Sequence, residues 1–194
     1  MSLVTSAIGQ GLLWGILALG LFLTFRILNF PDMTVEGTFP FCAAVCVSAL
    51  VHGVNPIVAT ALSFGAGLLT GLMTGLLYTK GRIPILLAGI LVMTGIYSIN
   101  LRILGRANVG LMHQKTLFSP EFLKNLPDGF DSVCVGIIFT IVIVILLAVF
   151  LNTDIGQAFI ATGDNEKMAR SLGIHTDNTK ILGLMISNGL IGLA

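Results

Sequence analysis

The chain has 194 residues, of which 55% are hydrophobic and 10% charged, with a formal net charge of +1 and a mean hydropathy of +0.99. Soluble domains carry about a quarter of their residues charged, so the composition excludes that class and points to an integral membrane protein. The near-neutral balance leaves no basic patch for nucleic acid, and the partners it predicts are membrane lipid and protein.

A helical span needs about 20 apolar residues, and the first run, residues 6–28, meets that length, with Trp14 inside it and Arg26 near its end. No cationic leader or small-residue cleavage site precedes it, so it reads as a retained span. Gly11 and Gly15 give it a short small-residue face. A polar stretch over residues 29–37 follows, and then an apolar run at 38–51 that starts beside Pro40 and is short for a crossing. That pattern predicts a broken or re-entrant second helix; if the run crosses fully, the N-terminus lies outside. Residues 57–78 form a full span closing on Lys80-Gly81-Arg82, a cluster that marks a cytoplasmic end.

Residues 83–104 cross back, which leaves 105–131, with Pro120 and Pro127, as an outer loop. Residues 132–151 return to the side of Lys80 and Arg82, where Lys167, Arg170 and Lys180 agree with the assignment. The last run, 180–194, is too short to cross, the pattern of a chain that continues. One membrane domain over 1–194 is the simplest division, and the fold class predicted is an all-α polytopic bundle.

Within that bundle the stretch 152–179, NTDIGQAFIATGDNEKMARSLGIHTDNT, is a polar island between apolar runs. It reads as two short helices, the first capped by Asp154 and ended by a left-handed Gly163, the second capped by Asp164 and ended by Gly173. Glu166 and Arg170 stand one turn apart, and Met168, Ala169 and Leu172 give the second helix an apolar face. Such a pair is either a structured connection or a surface for a partner.

Ser63, Gly67, Gly71 and Gly75 recur every fourth residue, a ribbon along which a second helix can approach closely. In the polar stretch at 29–37, Asp32 and Glu36 would share a helix face, costly for like charges unless water or a cation is near. At membrane depth such a segment must line a cavity or be buried in protein. Asn100 and Arg102 lie toward the outer end of their span. Cys42, Cys46 and Cys134 sit in apolar surroundings and read as packing thiols, and His52, His113 and His175 as solvated loop residues. No phosphate loop, zinc-protease or serine-hydrolase signature occurs, so neither nucleotide hydrolysis nor a cofactor is expected.

NFPDMTVEGTFPFCAA (29–44), GLLYTKGRIPILLAGILVMTGIYSINLRILGRAN (75–108) and DIGQAFIATGDNEKMARSLGIHTDNTKILGLMISNGLIGLA (154–194) together resemble the membrane subunit of bacterial ABC importers of the branched-chain amino acid and ribose permease superfamily. Within it, FPDMTVEG is most similar to tryptophan/tyrosine-type permeases that work with a substrate-binding lipoprotein. The resemblance implies a multi-pass permease of the bacterial cell membrane that hydrolyses nothing itself. It would pair with a second permease subunit, ABC ATPase subunits and an extracytoplasmic binding protein. The resemblance also makes the polar island the coupling element, with Ile155, Gly163, Asp164, Ala169, Arg170 and Gly173 in contact with the ATPase. Asp32, Thr34, Glu36 and Asn100 would border the translocation pathway, and Gly67, Gly71 and Gly75 would serve packing. An ion-coupled carrier or channel using Asp32 and Glu36 is the competing expectation.

Overall fold

A computed structural model describes residues 2–105 and 130–194. The described residues form eight α-helices: α1 (Ser2–Phe22), α2 (Val35–Val51), α3 (Pro56–Thr79), α4 (Ile85–Leu104), α5 (Phe130–Leu151), α6 (Asp154–Asp164), α7 (Glu166–Ser171) and α8 (Thr176–Leu193). Four stretches are long and apolar enough to cross a membrane, namely Ala7–Ile27, Pro56–Thr79, Ile85–Leu104 and Val133–Leu151. The chain is therefore a multi-pass membrane protein with an all-α bundle. The greater part of the loop predicted between α4 and α5, with His113, Pro120 and Pro127, lies outside the described residues.

α1 does not end cleanly. Its last turn widens into a π-helix at Leu23–Ile27, where the Leu28 amide donates to the Leu23 carbonyl at 3.1 Å. Asn29 then takes a left-handed conformation with φ of 52°, which an asparagine tolerates better than most residues, and the helix stops. The chain runs without helix to Thr34 and re-enters helix as α2, which continues through Pro40 to Val51. The helical path is thus broken just ahead of α2, and Pro40 lies inside a continuous helix.

The turns that follow are built from expected chemistry. Asn55 caps α3 by accepting from the Ile57 amide at 3.1 Å, with Pro56 at the first helical position. Gly105, at φ of 62°, ends α4. α5 has a mean hydropathy of 3.3, the highest of the spans, and is buried along only 11% of its span; it leans on α1, where Thr140 donates to the Leu12 carbonyl at 3.4 Å and Ile143 meets Ile16.

α8 is the central element. It packs along α3 and also touches α1, α2, α6 and α7. Its start lies earlier than the apolar run predicts, at Thr176, because the polar first turn is held by partners rather than by lipid. Two apolar clusters flank it: Leu28, Phe30, Phe159 and Leu184 at the end bearing α6 and α7, and Ile16, Ile143 and Leu190 farther along.

Candidate functional site: a buried polar core and an exposed helix pair

Glycine decides where α3 and α8 meet. A Cβ on Gly67 would overlap the Asn188 carbonyl and one on Gly71 the Leu184 carbonyl, while at Gly75 it would stand 3.0 Å from Ile181 Cα. Backbone thus lies on backbone along this seam, and Ser63 extends it by donating to the Gly192 carbonyl at 2.6 Å. Gly11 and Gly15 of α1 have nothing within 4 Å of where a Cβ would sit, so their small-residue face packs against no described neighbour.

A chain of polar side chains runs beside the seam. The Asn188 amide donates to Asp32 Oδ2 at 2.8 Å, and Asp32 Oδ1 accepts from the Thr34 amide at 2.9 Å and from the Thr34 hydroxyl. Thr34 and Thr74 hydroxyls stand 3.2 Å apart. The single hydroxyl proton of Thr38 has three acceptors in reach, Asn188 Oδ1 at 2.7 Å and both Thr70 Oγ1 and the Thr34 carbonyl at 3.1 Å. Asp32 is 2% exposed, and Thr34, Thr38, Thr70, Thr74 and Asn188 are buried with it. Burial of so many polar groups is tolerated because each finds a partner.

This geometry separates the residues predicted to border a pathway. Asp32 precedes the helix and turns back onto the Thr34 amide, whereas Glu36 sits in the first turn of α2 and is exposed. The two do not share a helix face, and the like-charge cost expected of that arrangement does not arise. Asn100 is buried on α4 in one stripe with Val92 and Ile96, and among the described residues its Oδ1 has no hydrogen-bond partner. It lies far from Asp32: Gly89 is the residue of α4 beside Met33 and Thr34, and eleven residues of helix span about 16 Å.

The helix pair α6–α7 folds over the end of the bundle where α3 stops. Its caps are one residue away from those predicted. Thr153, not Asp154, caps α6 by accepting from the Gly156 amide at 3.2 Å, and Asn165, not Asp164, caps α7 by accepting from the Met168 amide at 3.0 Å. Thr153 and Asn165 have the extended backbone that aims their side-chain oxygens at those amides. Gly163 is not a left-handed terminator; it lies within α6, and a Cβ there would overlap the Ile27 carbonyl. Gly156 makes a like approach to Phe150 and Leu151. Gly173, at φ of 86°, does end the second helix region.

Phe159 is fully buried against Leu28, Phe30 and Leu184, and Ala169 also faces inward. The outer surface carries Ile155, Met168 and Leu172, 54%, 59% and 67% exposed, beside the exposed Asp164, Arg170 and Gly173. Of the apolar face predicted for the second helix, only Ala169 packs inward.

A clasp of charges ties this pair to the bundle. Arg170 Nη2 lies 3.1 Å from Glu166 Oε1 and 3.2 Å from Asp177 Oδ1, and it donates to the Thr176 hydroxyl at 2.9 Å. Lys180 Nζ lies 2.8 Å from Glu166 Oε2 and donates to the Tyr78 hydroxyl at 3.3 Å. The hydrogen bond from Lys180, assisted by the charges of Lys180 and Arg170 against partial desolvation, holds the Glu166 carboxyl below its ordinary value. A solvent-open cleft of about 320 Å³, lined among others by Tyr78, Arg82, Glu166, Asp177 and Lys180, lies alongside. Among the described residues no group of histidine, cysteine and carboxylate could hold a metal.

Lys180, Asn188, Thr38, Thr70 and Thr74 carry much of this arrangement, and sequence reading passed over all five as site residues. One signal was available: Thr70-Gly71 and Thr74-Gly75 repeat at four-residue spacing, placing a hydroxyl beside each packing glycine on one helix face.

Comparison with known proteins agrees with this architecture. Residues 3–194 match the family described as the permease component of branched-chain amino acid transport systems. The chain is 42% identical over 194 residues to a tyrosine transport system permease protein of Clostridioides difficile (strain R20291), covering 100% of this chain and 63% of that one. It is 33% identical over 193 residues to an uncharacterised protein of Rickettsia prowazekii (strain Madrid E), covering 100% and 66%. An autoinducer 2 import system permease protein of Yersinia pseudotuberculosis (serotype O:3, strain YPIII) is 28% identical over 188 residues, covering 92% and 49%. The chain thus spans between about half and two thirds of the length of these relatives. No solved structure matches it. With a family match over nearly its whole length, the chain belongs to the branched-chain amino acid transport permease family.

Proposed function

We propose that this chain belongs to the membrane-spanning part of a permease subunit in an ATP-binding-cassette importer of the bacterial cell membrane. It pairs with a second permease subunit, ABC ATPase subunits that hydrolyse the nucleotide, and an extracytoplasmic binding protein. The solute is a small one, and an aromatic amino acid such as tyrosine or tryptophan is the preferred class, in keeping with the tyrosine permease of C. difficile.

The observation that carries the reading is the α6–α7 pair. It is anchored from below by Phe159, Gly163 and Ala169 while presenting Ile155, Met168 and Leu172 outward among polar residues. Apolar side chains exposed on a polar island of a membrane chain fit a protein partner better than water. The basic residues Lys80, Arg82 and Lys167 favour a cytoplasmic side for that face, where an ATPase would meet it. Asp32 and Thr34, buried just ahead of α2, would border the pathway once α2 and α8 part, and Glu36 and Asn100 would flank it at other levels.

The test is recovery of the natural permease from its native membrane in mild detergent, followed by reconstitution with the binding protein. Co-recovery of an ATPase and ATP-dependent uptake of labelled tyrosine, both lost with Ile155→Asp and Leu172→Asp together, is the expected result. Recovery of the permease without any ATPase, with uptake following an ion gradient, would sink the reading.

A further inference from the structure

We propose that Lys180 is a positioning residue for coupling, fixing the α6–α7 face to α8 and through α8 to the start of α2; this rests on the importer reading above. Lys180 is only 6% exposed. Its ammonium meets Glu166 of α7 at 2.8 Å, donates to Tyr78 near the end of α3 at 3.3 Å, and lies 5.0 Å from the centroid of the Tyr78 ring. One cation therefore joins three elements. Lysine is rarely so enclosed, and an enclosed cation that loses its carboxylate is strongly unfavourable.

What Lys180 holds is set by the periodicity of α8. Lys180, Leu184 and Asn188 follow at four-residue spacing and share one stripe. Leu184 is fully buried against Leu28, Phe30 and Phe159, joining the end of the first span to α6. Asn188 donates to Asp32 at 2.8 Å and accepts from Thr38 at 2.7 Å, holding both the irregular segment and α2. The stripe thus touches the helix pair at one end and the broken segment at the other, about 12 Å apart along the axis. If α7 moved without α8, Lys180 would lose the Glu166 carboxylate and keep only Tyr78, so the ion pair couples the two.

Arg170 makes a second tie, to Thr176 and Asp177, but its side chain and that of Asp177 are each 60% exposed. Solvent and salt screen such a pair, and it carries little. The Lys180–Glu166 pair, with side chains 8% and 40% exposed, is the better shielded link.

The test uses the natural permease reconstituted with its ATPase and binding protein in liposomes, reading solute taken up per ATP hydrolysed. Lys180→Met and Glu166→Gln should each keep the ATPase bound and hydrolysing while the ratio falls about tenfold. Lys180→Arg, which keeps the charge, should retain most of it. If Lys180→Met does not assemble, Glu166→Gln decides. Unchanged ratios in the assembled variants, or uptake and hydrolysis falling in step with the amount of complex, would overturn the positioning role. Wild-type protein without ATP-dependent uptake would instead overturn the importer reading itself.

Discussion

The α3–α8 seam and the α6–α7 pair use one device to opposite ends. Both are built on glycines that bring backbone onto backbone, Gly67 and Gly71 in the seam and Gly156 and Gly163 in the pair. The seam then seals its polar groups: Asp32, Thr38, Thr70, Thr74 and Asn188 are buried and bonded to one another. In the pair the charges stay near water and apolar side chains are left outside. The difference teaches that close backbone approach only fixes position. What the neighbouring side chains do with that position makes one region a joint and the other a surface.

The comparison breaks most severely at the seam. Gly71→Ala pushes a methyl group into the Leu184 carbonyl and should destabilise the protein by about 3 kcal/mol, as overpacking does. Gly65→Ala, on the same helix with nothing within 4 Å, should be neutral or stabilising by up to about 1 kcal/mol. Thermal unfolding in detergent checks both, and equal melting temperatures would show that α8 does not pack where the structure has it.

Asp32→Ala comes next. It leaves the Asn188 amide and the Thr34 hydroxyl without their acceptor, and the expected loss is about 2 kcal/mol. Asp32→Asn keeps an acceptor and should lose less. A smaller loss for Ala than for Asn would mean that the network does not hold α2 to α8.

The clasp is a gentler target, and pH reads it. The Glu166 carboxyl is faced by Lys180, Arg170 and Thr176, with Asp177 and Tyr78 in the same cleft, and it titrates below its ordinary 4.5. Its contribution is therefore complete above that value and is lost as pH falls through the folded-state pKa. Wild type should melt above Glu166→Gln at neutral pH and converge with it in the acid below 4.5. A gap that persists unchanged into that acid would assign the effect to something other than the carboxylate.

The smallest structural effect is expected on the outer face. Ile155→Ser and Leu172→Ser alter side chains 54% and 67% exposed, so stability should change by no more than about 0.5 kcal/mol. On the proposed importer reading, binding of an ATPase should nonetheless weaken. A large fall in melting temperature with normal ATPase binding would reverse the assignment of this face as a surface.

The order of the spans was legible in sequence because it depends on local quantities, the length and hydropathy of each run. The glycine ribbon and the Glu166–Arg170 pair were legible for the same reason, since four-residue spacing puts residues on one helix face. The caps were misread by one residue at Asp154 and Asp164, because two adjacent polar residues compete and only the backbone conformation selects between them. Gly163 looked like a terminator, for a glycine needed for a left-handed turn and one needed for close packing are the same letter.

The sequence by itself determined an all-α membrane chain with a polar island and a close-packing ribbon, since composition and periodicity act over a few residues. Only the tertiary structure decided which helix fills the ribbon, that Asp32 meets Asn188 across 156 residues, and that Lys180 is enclosed between Glu166 and Tyr78. Those are pairings between distant segments, and one sequence carries no measure of distance between them until the backbones have packed.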